Sequence, residues 1–120
     1  KPLGKIVSAL KDSYPHVPVI VFPRGAGKMY RGFAKKISAD AIAIDQSVSL
    51  SFMKDLQTES CVQGNLDPKL MVRGGKELIE ETKKLREKMS EGPYIFNLGH
   101  GITPDADPKN VEIMLNAIRS

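Results

Sequence analysis

The stretch YIFNLGHGI, at residues 94–102, is a short apolar run that ends in a histidine between two glycines. TPDADP follows at 103–108, and after it comes a pattern typical of a final helix. This layout places His100 at the carboxyl end of a buried strand. Because ligands of α/β proteins bind at that end of the sheet, His100 is the sharpest candidate for a functional residue.

Three further apolar runs have the character of strands, namely VPVIVF at 17–22, AIAID at 41–45 and CVQGNL at 61–66. They are nearly continuous rather than alternating, which predicts strands buried on both faces, as in a parallel sheet covered by helices. Helical patterns lie between the runs. One has apolar residues every four positions, at Met29, Phe33 and Ile37. The longest helix is predicted to line one face with Leu78, Thr82, Leu85 and Met89. The last helix carries a core-facing stripe at Val111, Met114, Leu115 and Ile118.

The predicted element order is α-β-α-β-α-β-α-β-α, with Asp67-Pro68 and Asp107-Pro108 as helix starts. This alternation predicts an α/β fold with right-handed crossovers and a parallel sheet. Strand starts lie about 25 residues apart, as in a (β/α)8 barrel. Four units make half of a barrel, but four parallel strands can also form a small doubly wound sheet. No linker divides residues 1–120, which we interpret as a single partial domain.

Composition narrows the class of protein. The chain has 120 residues, a net charge of +4 and one cysteine, Cys61, so an internal disulfide and a cysteine-rich zinc site are excluded. No run approaches the ~18 apolar residues of a membrane span, and no basic run suggests nucleic acid. The start, Lys1-Pro2, has no signal-peptide layout. It resembles the middle of a longer polypeptide, so the chain is expected to be a piece of something larger. The single cysteine is compatible with a reducing, cytoplasmic location.

The loop FPRGAGK, at 22–28, follows the first predicted strand and precedes a helix. Glycine-rich loops at helix starts can hold anions, but the Walker A pattern fails here because Phe22 and Met29 occupy required positions. A tight turn that helps to shape a pocket is therefore favoured over a phosphate loop. Arg24 lies where a substrate carboxylate could reach it, although a solvated arginine is equally compatible with the sequence.

Polar residues also follow the second and third strands. Asp45 is either a carboxylate that contacts the ligand or a turn residue, and the sequence favours the turn. Gly64, inside a strand, predicts close approach of another backbone or of a ligand. Gln63 and Asn65 need hydrogen-bond partners if they are buried. Asp67 is most simply a helix N-cap.

The two glycines around His100 predict an unusual backbone path that presents the ring. The alternative is a turn histidine bonded to a nearby carbonyl. The other histidine, His16, is predicted to be a surface turn residue. No Cys, His and Asp cluster has metal-ligand spacing, so we predict no metal site.

FNLGHGITPDADPKNVE closely resembles the C-terminal segment of the uroporphyrinogen decarboxylase family. VQGNLDP, VPVIVFPRGAG and DAIAIDQSV align with that family in the same order, so the resemblance covers essentially the whole chain. It implies a cytoplasmic, usually homodimeric (β/α)8 TIM barrel about three times this length. The chain would be its C-terminal half, with four parallel strands alternating with helices.

The resemblance implies cofactor-free decarboxylation of the four acetate arms of uroporphyrinogen III to coproporphyrinogen III, in porphyrin and haem biosynthesis. It assigns His100 to substrate binding and no catalytic residue to this chain. The family's Arg- and Gln-rich N-terminal signature and its pyrrole-binding aspartate are absent, so these 120 residues alone are expected to be inactive. The exposed edges of a half barrel, at 17–22 and 94–98, should be covered by another chain or by the missing half.

Two alternatives remain at this point. One is a related barrel methyltransferase, which would hold zinc through paired His and Cys ligands; the lone Cys61 argues against it. The other is a non-catalytic half-barrel module that binds a tetrapyrrole or another anion.

Overall fold

The computed structural model describes residues 2–120, which form one sheet with helices packed on it. The strands are β1 (Ile20–Val21), β2 (Ala41–Ala43), β3 (Cys61–Gln63) and β4 (Tyr94–Ile95). The helices are α1 (Pro2–Ser13), α2 (Phe33–Ile37), α3 (Leu50–Gln57), α4 (Leu70–Arg73), α5 (Gly75–Met89) and α6 (Pro108–Arg119), with a 3-10 turn at Gly27–Tyr30.

The sheet has the strand order β1-β2-β3-β4, and every neighbouring pair is parallel. A doubly wound sheet reverses its strand order at a switch point, and this sheet does not. Consecutive right-handed crossovers without a reversal place the helices on one side, as in a run of barrel strands. The predicted α/β fold of four parallel strands alternating with helices is therefore confirmed.

The two faces of the sheet differ. Val21, Ile42 and Val62 lie in one register row and are almost fully buried beneath the helices. On the opposite face, Ile20 is 46% exposed and Ile95 is 39% exposed. The prediction of strands buried on both faces is confirmed for β2, whose three residues are all buried, and is wrong for the edge strands β1 and β4. At these two strands, apolar side chains on the face away from the helices remain in contact with solvent.

The helical stripes are confirmed where the helix is long and continuous. Leu78, Thr82, Leu85 and Met89 of α5 are all buried. Of the stripe at Met29, Phe33 and Ile37, the last two residues are confirmed, since Ile37 is buried and Phe33 packs against the core. Met29 is wrong, because it is 68% exposed and its neighbour Tyr30 only 1% exposed. The cause is Gly32, whose left-handed conformation separates the 3-10 turn from α2 and breaks the four-residue periodicity. The stripe on α6 is half-buried rather than a full core face.

The helix starts follow the predicted chemistry, with one shift. The Asp107 carboxylate accepts a hydrogen bond from the Lys109 N–H at 2.9 Å, and Pro108 is the first residue of α6. The Asp67 carboxylate likewise accepts from the Lys69 N–H at 3.0 Å. It caps a turn rather than a helix, however, because α4 begins only at Leu70.

Candidate functional site

The loops that leave the carboxyl ends of the four strands form two neighbouring cavities. One has a volume of about 510 Å³ and is lined by Phe22, Gln63 and Asn97, among others. The second has a volume of about 230 Å³ and lies between the loops. His100 lines both cavities. The structure therefore places His100 at the carboxyl end of the sheet, where the sequence predicted it.

The smaller cavity collects charged and polar side chains from all four loops. Its lining residues include Arg24, Gln46, Asp67, Lys69, His100 and Asp105. The sequence predicts Arg24 and His100 as candidate site residues and Asp67 only as a helix N-cap, and the fold brings all three to one cavity. Gln46 and Lys69 were not identified, since a glutamine and a lysine in polar loops carry no local signal of their own.

The His100 ring has a polar contact with its own loop. Its Nδ1 lies 3.1 Å from the carbonyl oxygen of Gly101, which can only accept a hydrogen bond. The residue is half-buried and lines both cavities. The two sequence interpretations of His100, a ring bonded to a nearby carbonyl and a ring presented to a ligand, are thus compatible.

The glycines beside His100 have a role different from the one expected. Gly99 and Gly101, both within the described part of the chain, lack the left-handed φ angles found at other glycines. A Cβ at Gly99 would instead lie 2.4 Å from the backbone nitrogen of Gln46. Gly99 is therefore required by the close packing of the β4 loop on the β2 loop, and the expectation of an unusual backbone path is not met.

Asp45 is a buried hydrogen-bond acceptor and not a ligand-facing carboxylate. It accepts from the Gly25 N–H and the Tyr30 hydroxyl, both at 2.8 Å, and from the Ser47 N–H at 2.9 Å. The Ser47 hydroxyl also donates to it. Burial alone would raise the pKa of Asp45, but these hydrogen bonds outweigh burial and lower its pKa to about 2.

Tyr30 is the partner of Asp45 that the sequence did not reveal. Its hydroxyl donates to Asp45, while the Asp45 backbone N–H donates back to it at 3.3 Å. Burial, followed by the hydrogen bond to the carboxylate, raises the pKa of the Tyr30 phenol well above its usual value. At neutral pH the pair is a neutral phenol bonded to a carboxylate.

The glycine-rich loop is a tight turn, as the failed Walker pattern predicted. Gly25 and Gly27 adopt φ angles of 77° and 54°. The Gly25 N–H, which a phosphate loop would offer to its ligand, donates to Asp45 instead. Arg24 is exposed and lines the smaller cavity.

The third loop is held by Asn65 and Gly64. The Asn65 side-chain amide donates to the carbonyls of Asp45 at 2.8 Å and Val48 at 2.9 Å, so its hydrogen-bonding need is met by the β2 loop. A Cβ at Gly64 would lie 2.7 Å from the Ile44 carbonyl oxygen. The predicted close approach at Gly64 is confirmed, and the group that approaches is a neighbouring backbone.

Two structural findings bear on the alternatives. Among residues 2–120, no three His, Cys, Asp or Glu side chains lie close enough together to hold a metal ion. Cys61 is half-buried in β3, where burial raises the pKa of its thiol.

Within the same residues, none of the helices has the length and apolar character needed to cross a membrane. His16 lies in an exposed turn, as predicted.

Fold and site together define a β/α-barrel-type protein whose strand-end loops present basic and hydrogen-bonding groups to an open cavity. Comparison with known proteins is more specific. A family model described as uroporphyrinogen decarboxylase (URO-D) matches residues 1–120. The chain belongs to the uroporphyrinogen decarboxylase family.

Individual relatives agree with the family match. The chain is 57% identical over 120 residues to the uroporphyrinogen decarboxylase of Jannaschia sp. (strain CCS1) and 54% identical to that of Paracoccus denitrificans (strain Pd 1222). It is 50% identical over 121 residues to that of Rhodobacter capsulatus. Each alignment covers 99% of this chain but 35% of the relative. The chain thus spans about a third of the length of these relatives, as the resemblance implied.

Proposed function

We propose that these residues form the C-terminal part of a uroporphyrinogen decarboxylase. That enzyme converts the four acetate side chains of uroporphyrinogen III to methyl groups, giving coproporphyrinogen III in haem biosynthesis. The observation that carries the proposal is the position of His100 in the lining of two cavities at the carboxyl edge of the sheet. The family match over residues 1–120 supports it.

The contribution proposed for His100 is substrate binding. With Nδ1–H donating to Gly101, a neutral ring leaves Nε2 as an acceptor, whereas a protonated ring donates from both nitrogens. A propionate or acetate carboxylate of the substrate would bind the protonated ring through a charge-assisted hydrogen bond. No side chain of this chain is assigned to the chemical step, and no cofactor is invoked.

The test compares variants at the two histidines, made in the complete gene product that contains these residues. His100→Ala and His100→Gln remove the ring at the cavity, and His16→Ala removes a ring from an exposed turn. Product is followed by chromatography of the oxidised porphyrins. Losing a hydrogen bond to a charged group should raise KM roughly tenfold or more for the His100 variants and leave His16→Ala unchanged. Equal KM values for all three variants would contradict the role of His100.

Activity is expected to require more than residues 1–120. The proposal is that these residues alone do not decarboxylate, because they span 35% of the relatives' length and lack the family's N-terminal signature. Coproporphyrinogen formed by the purified 120-residue chain would overturn this expectation. Titration of the same chain with a porphyrin, compared with His100→Ala, tests the alternative of a binding module without catalysis.

The proposed assembly is a cytoplasmic homodimer, as is usual in the family. Apolar side chains on the open sheet face, such as Ile20 and Ile95, support the expectation that further protein covers this face. Sedimentation of the 120-residue chain tests this expectation, because a stable, well-folded monomer would show that the open sheet face needs no cover. Sedimentation and cell fractionation of the complete gene product test the dimer and the location.

A further inference from the structure

The loop that carries Arg24 is attached to the rest of the site through Asp45. The Gly25 N–H, adjacent in sequence to Arg24, donates to Asp45 Oδ2 at 2.8 Å. The Tyr30 hydroxyl, from the turn that ends this loop, donates to the same oxygen at 2.8 Å. One carboxylate oxygen therefore fixes the loop at two points.

Asp45 is itself held firmly. Its second oxygen accepts from the Ser47 N–H at 2.9 Å, and its backbone carbonyl accepts from the Asn65 amide at 2.8 Å. The side chain is only 5% exposed and is not part of the lining of the cavity beside His100. Asp45 thus connects three strand-end loops, yet its carboxylate lies too deep to contact a ligand in that cavity.

Arg24 is placed to contact such a ligand. Its side chain lines the cavity of about 230 Å³ together with His100 and Lys69. The ion pairs within residues 2–120 do not include Arg24, and Asp67, which lines the same cavity, accepts the Lys69 N–H. A guanidinium binds a carboxylate in a planar, two-point geometry, which depends on the orientation of the backbone that carries it.

We propose that Asp45 is a positioning residue that holds Arg24 at this cavity, where the guanidinium binds a carboxylate group of the substrate. The inference rests on the proposed function, which supplies a substrate with several carboxylates. It assigns Arg24 to substrate binding and gives Asp45 and Tyr30 a role in affinity that acts through Arg24.

The test is a double-mutant cycle in the complete gene product. Arg24→Gln removes the guanidinium, Asp45→Asn weakens the anchor, and Tyr30→Phe removes a single anchoring hydroxyl in case Asp45→Asn does not fold. Arg119→Gln and Asp12→Asn are matched controls, because both residues are exposed on helices remote from the strand ends. KM and kcat for uroporphyrinogen are measured for each variant.

Arg24→Gln should raise KM roughly tenfold with less than about twofold change in kcat, as expected for a lost charge-assisted bond. Asp45→Asn or Tyr30→Phe should raise KM several-fold alone and produce no further rise when combined with Arg24→Gln. Equal effects of the anchor variants in both backgrounds would show a merely structural role and overturn the inference.

The failure of this inference can be told apart from failure of the proposed function. If the wild-type gene product does not turn over uroporphyrinogen, both are overturned. If the wild type is active and Arg24→Gln behaves like Arg119→Gln, the inference alone is overturned and the proposed function stands.

Discussion

The contact between Gly64 and Ile44 offers a quantitative test of how the strand-end loops are packed. Gly64 has a φ angle of 134°, and a Cβ added there would lie 2.7 Å from the Ile44 carbonyl oxygen and 3.3 Å from its Cγ1. Gly64→Ala therefore meets two independent penalties, an unfavourable backbone conformation and a steric overlap with a backbone atom. The oxygen cannot move away without disturbing β2.

The magnitude follows from adding these penalties. A side chain in a sparsely populated φ region costs on the order of 1–3 kcal/mol, and overpacking against a fixed neighbour costs about 1–3 kcal/mol more. The lower entropy of the unfolded alanine chain returns about 0.4–1 kcal/mol. Gly64→Ala should therefore lower the free energy of unfolding by roughly 3–4 kcal/mol.

Three other glycines separate the two penalties. Gly32 has a φ of 74° with open space around its Cβ position, so Gly32→Ala tests the conformation alone. Gly99 has no left-handed φ but would place a Cβ 2.4 Å from the Gln46 backbone nitrogen, so Gly99→Ala tests the overlap alone. Gly101, in the described part of the chain, has neither feature and serves as the control.

Urea denaturation followed by circular dichroism measures the four variants. With a slope of about 2 kcal/mol per molar, Gly64→Ala should lower the midpoint by roughly 2 M, Gly32→Ala and Gly99→Ala by about 0.5–1 M, and Gly101→Ala not at all. The reasoning is refuted if Gly64→Ala costs no more than Gly32→Ala, since the backbone contact would then carry no penalty.

Two further predictions concern buried polar groups. The folded-state pKa of Asp45, about 2 against an ordinary 3.8, means that the ionised carboxylate stabilises the fold above pH 4. This contribution, about 2 kcal/mol, is lost as pH falls from about 4 through 2, and Asp45→Asn should remove it from the acid-unfolding curve. An unchanged curve would contradict the assignment. Thr82 Oγ1 is buried without a hydrogen-bond partner among the described residues, so Thr82→Val should be neutral or stabilise by up to ~1 kcal/mol in thermal unfolding. Thr58→Val, which removes a 2.6 Å bond to the Asp55 carbonyl, should destabilise; the reverse order would refute this.

The sequence predicted the architecture because the relevant signals are local. Apolar runs that alternate with helical patterns, together with the Asp-Pro pairs at helix starts, are sufficient to order strands and helices, and all four residues of the α5 stripe from Leu78 to Met89 are buried. Where the signal assumed one continuous helix, as at Met29, a single left-handed glycine was enough to shift the buried position to Tyr30. Periodicity cannot reveal such a break, because glycine is also tolerated inside helices.

The candidate site could be predicted only in part, and the reason is sequence distance. His100, Arg24 and Asp67 each follow a predicted strand, so their meeting follows from the parallel sheet. The side chain of Asp45 accepts hydrogen bonds from Tyr30 and Gly25, which lie 15 and 20 residues away in the sequence. The local sequence of one loop does not predict contacts with another loop. The sequence therefore predicts only that Asp45 is a turn residue, and not that its carboxylate is buried and accepts several hydrogen bonds.

The open face of the sheet links the fold to the proposed activity. In a closed barrel, inward-facing side chains pack against those of other strands. Here Phe22 and Gln63 project from the strand ends into the larger cavity, and Ile20 and Ile95 lie exposed on the same face. Protein that completes the sheet would therefore also supply the remaining wall of the cavity that His100 lines. A substrate held only by the present wall would keep most of its contact with water, which weakens every charge-assisted bond to it. This is the physical reason for expecting only weak substrate binding, and no decarboxylation, from these residues alone.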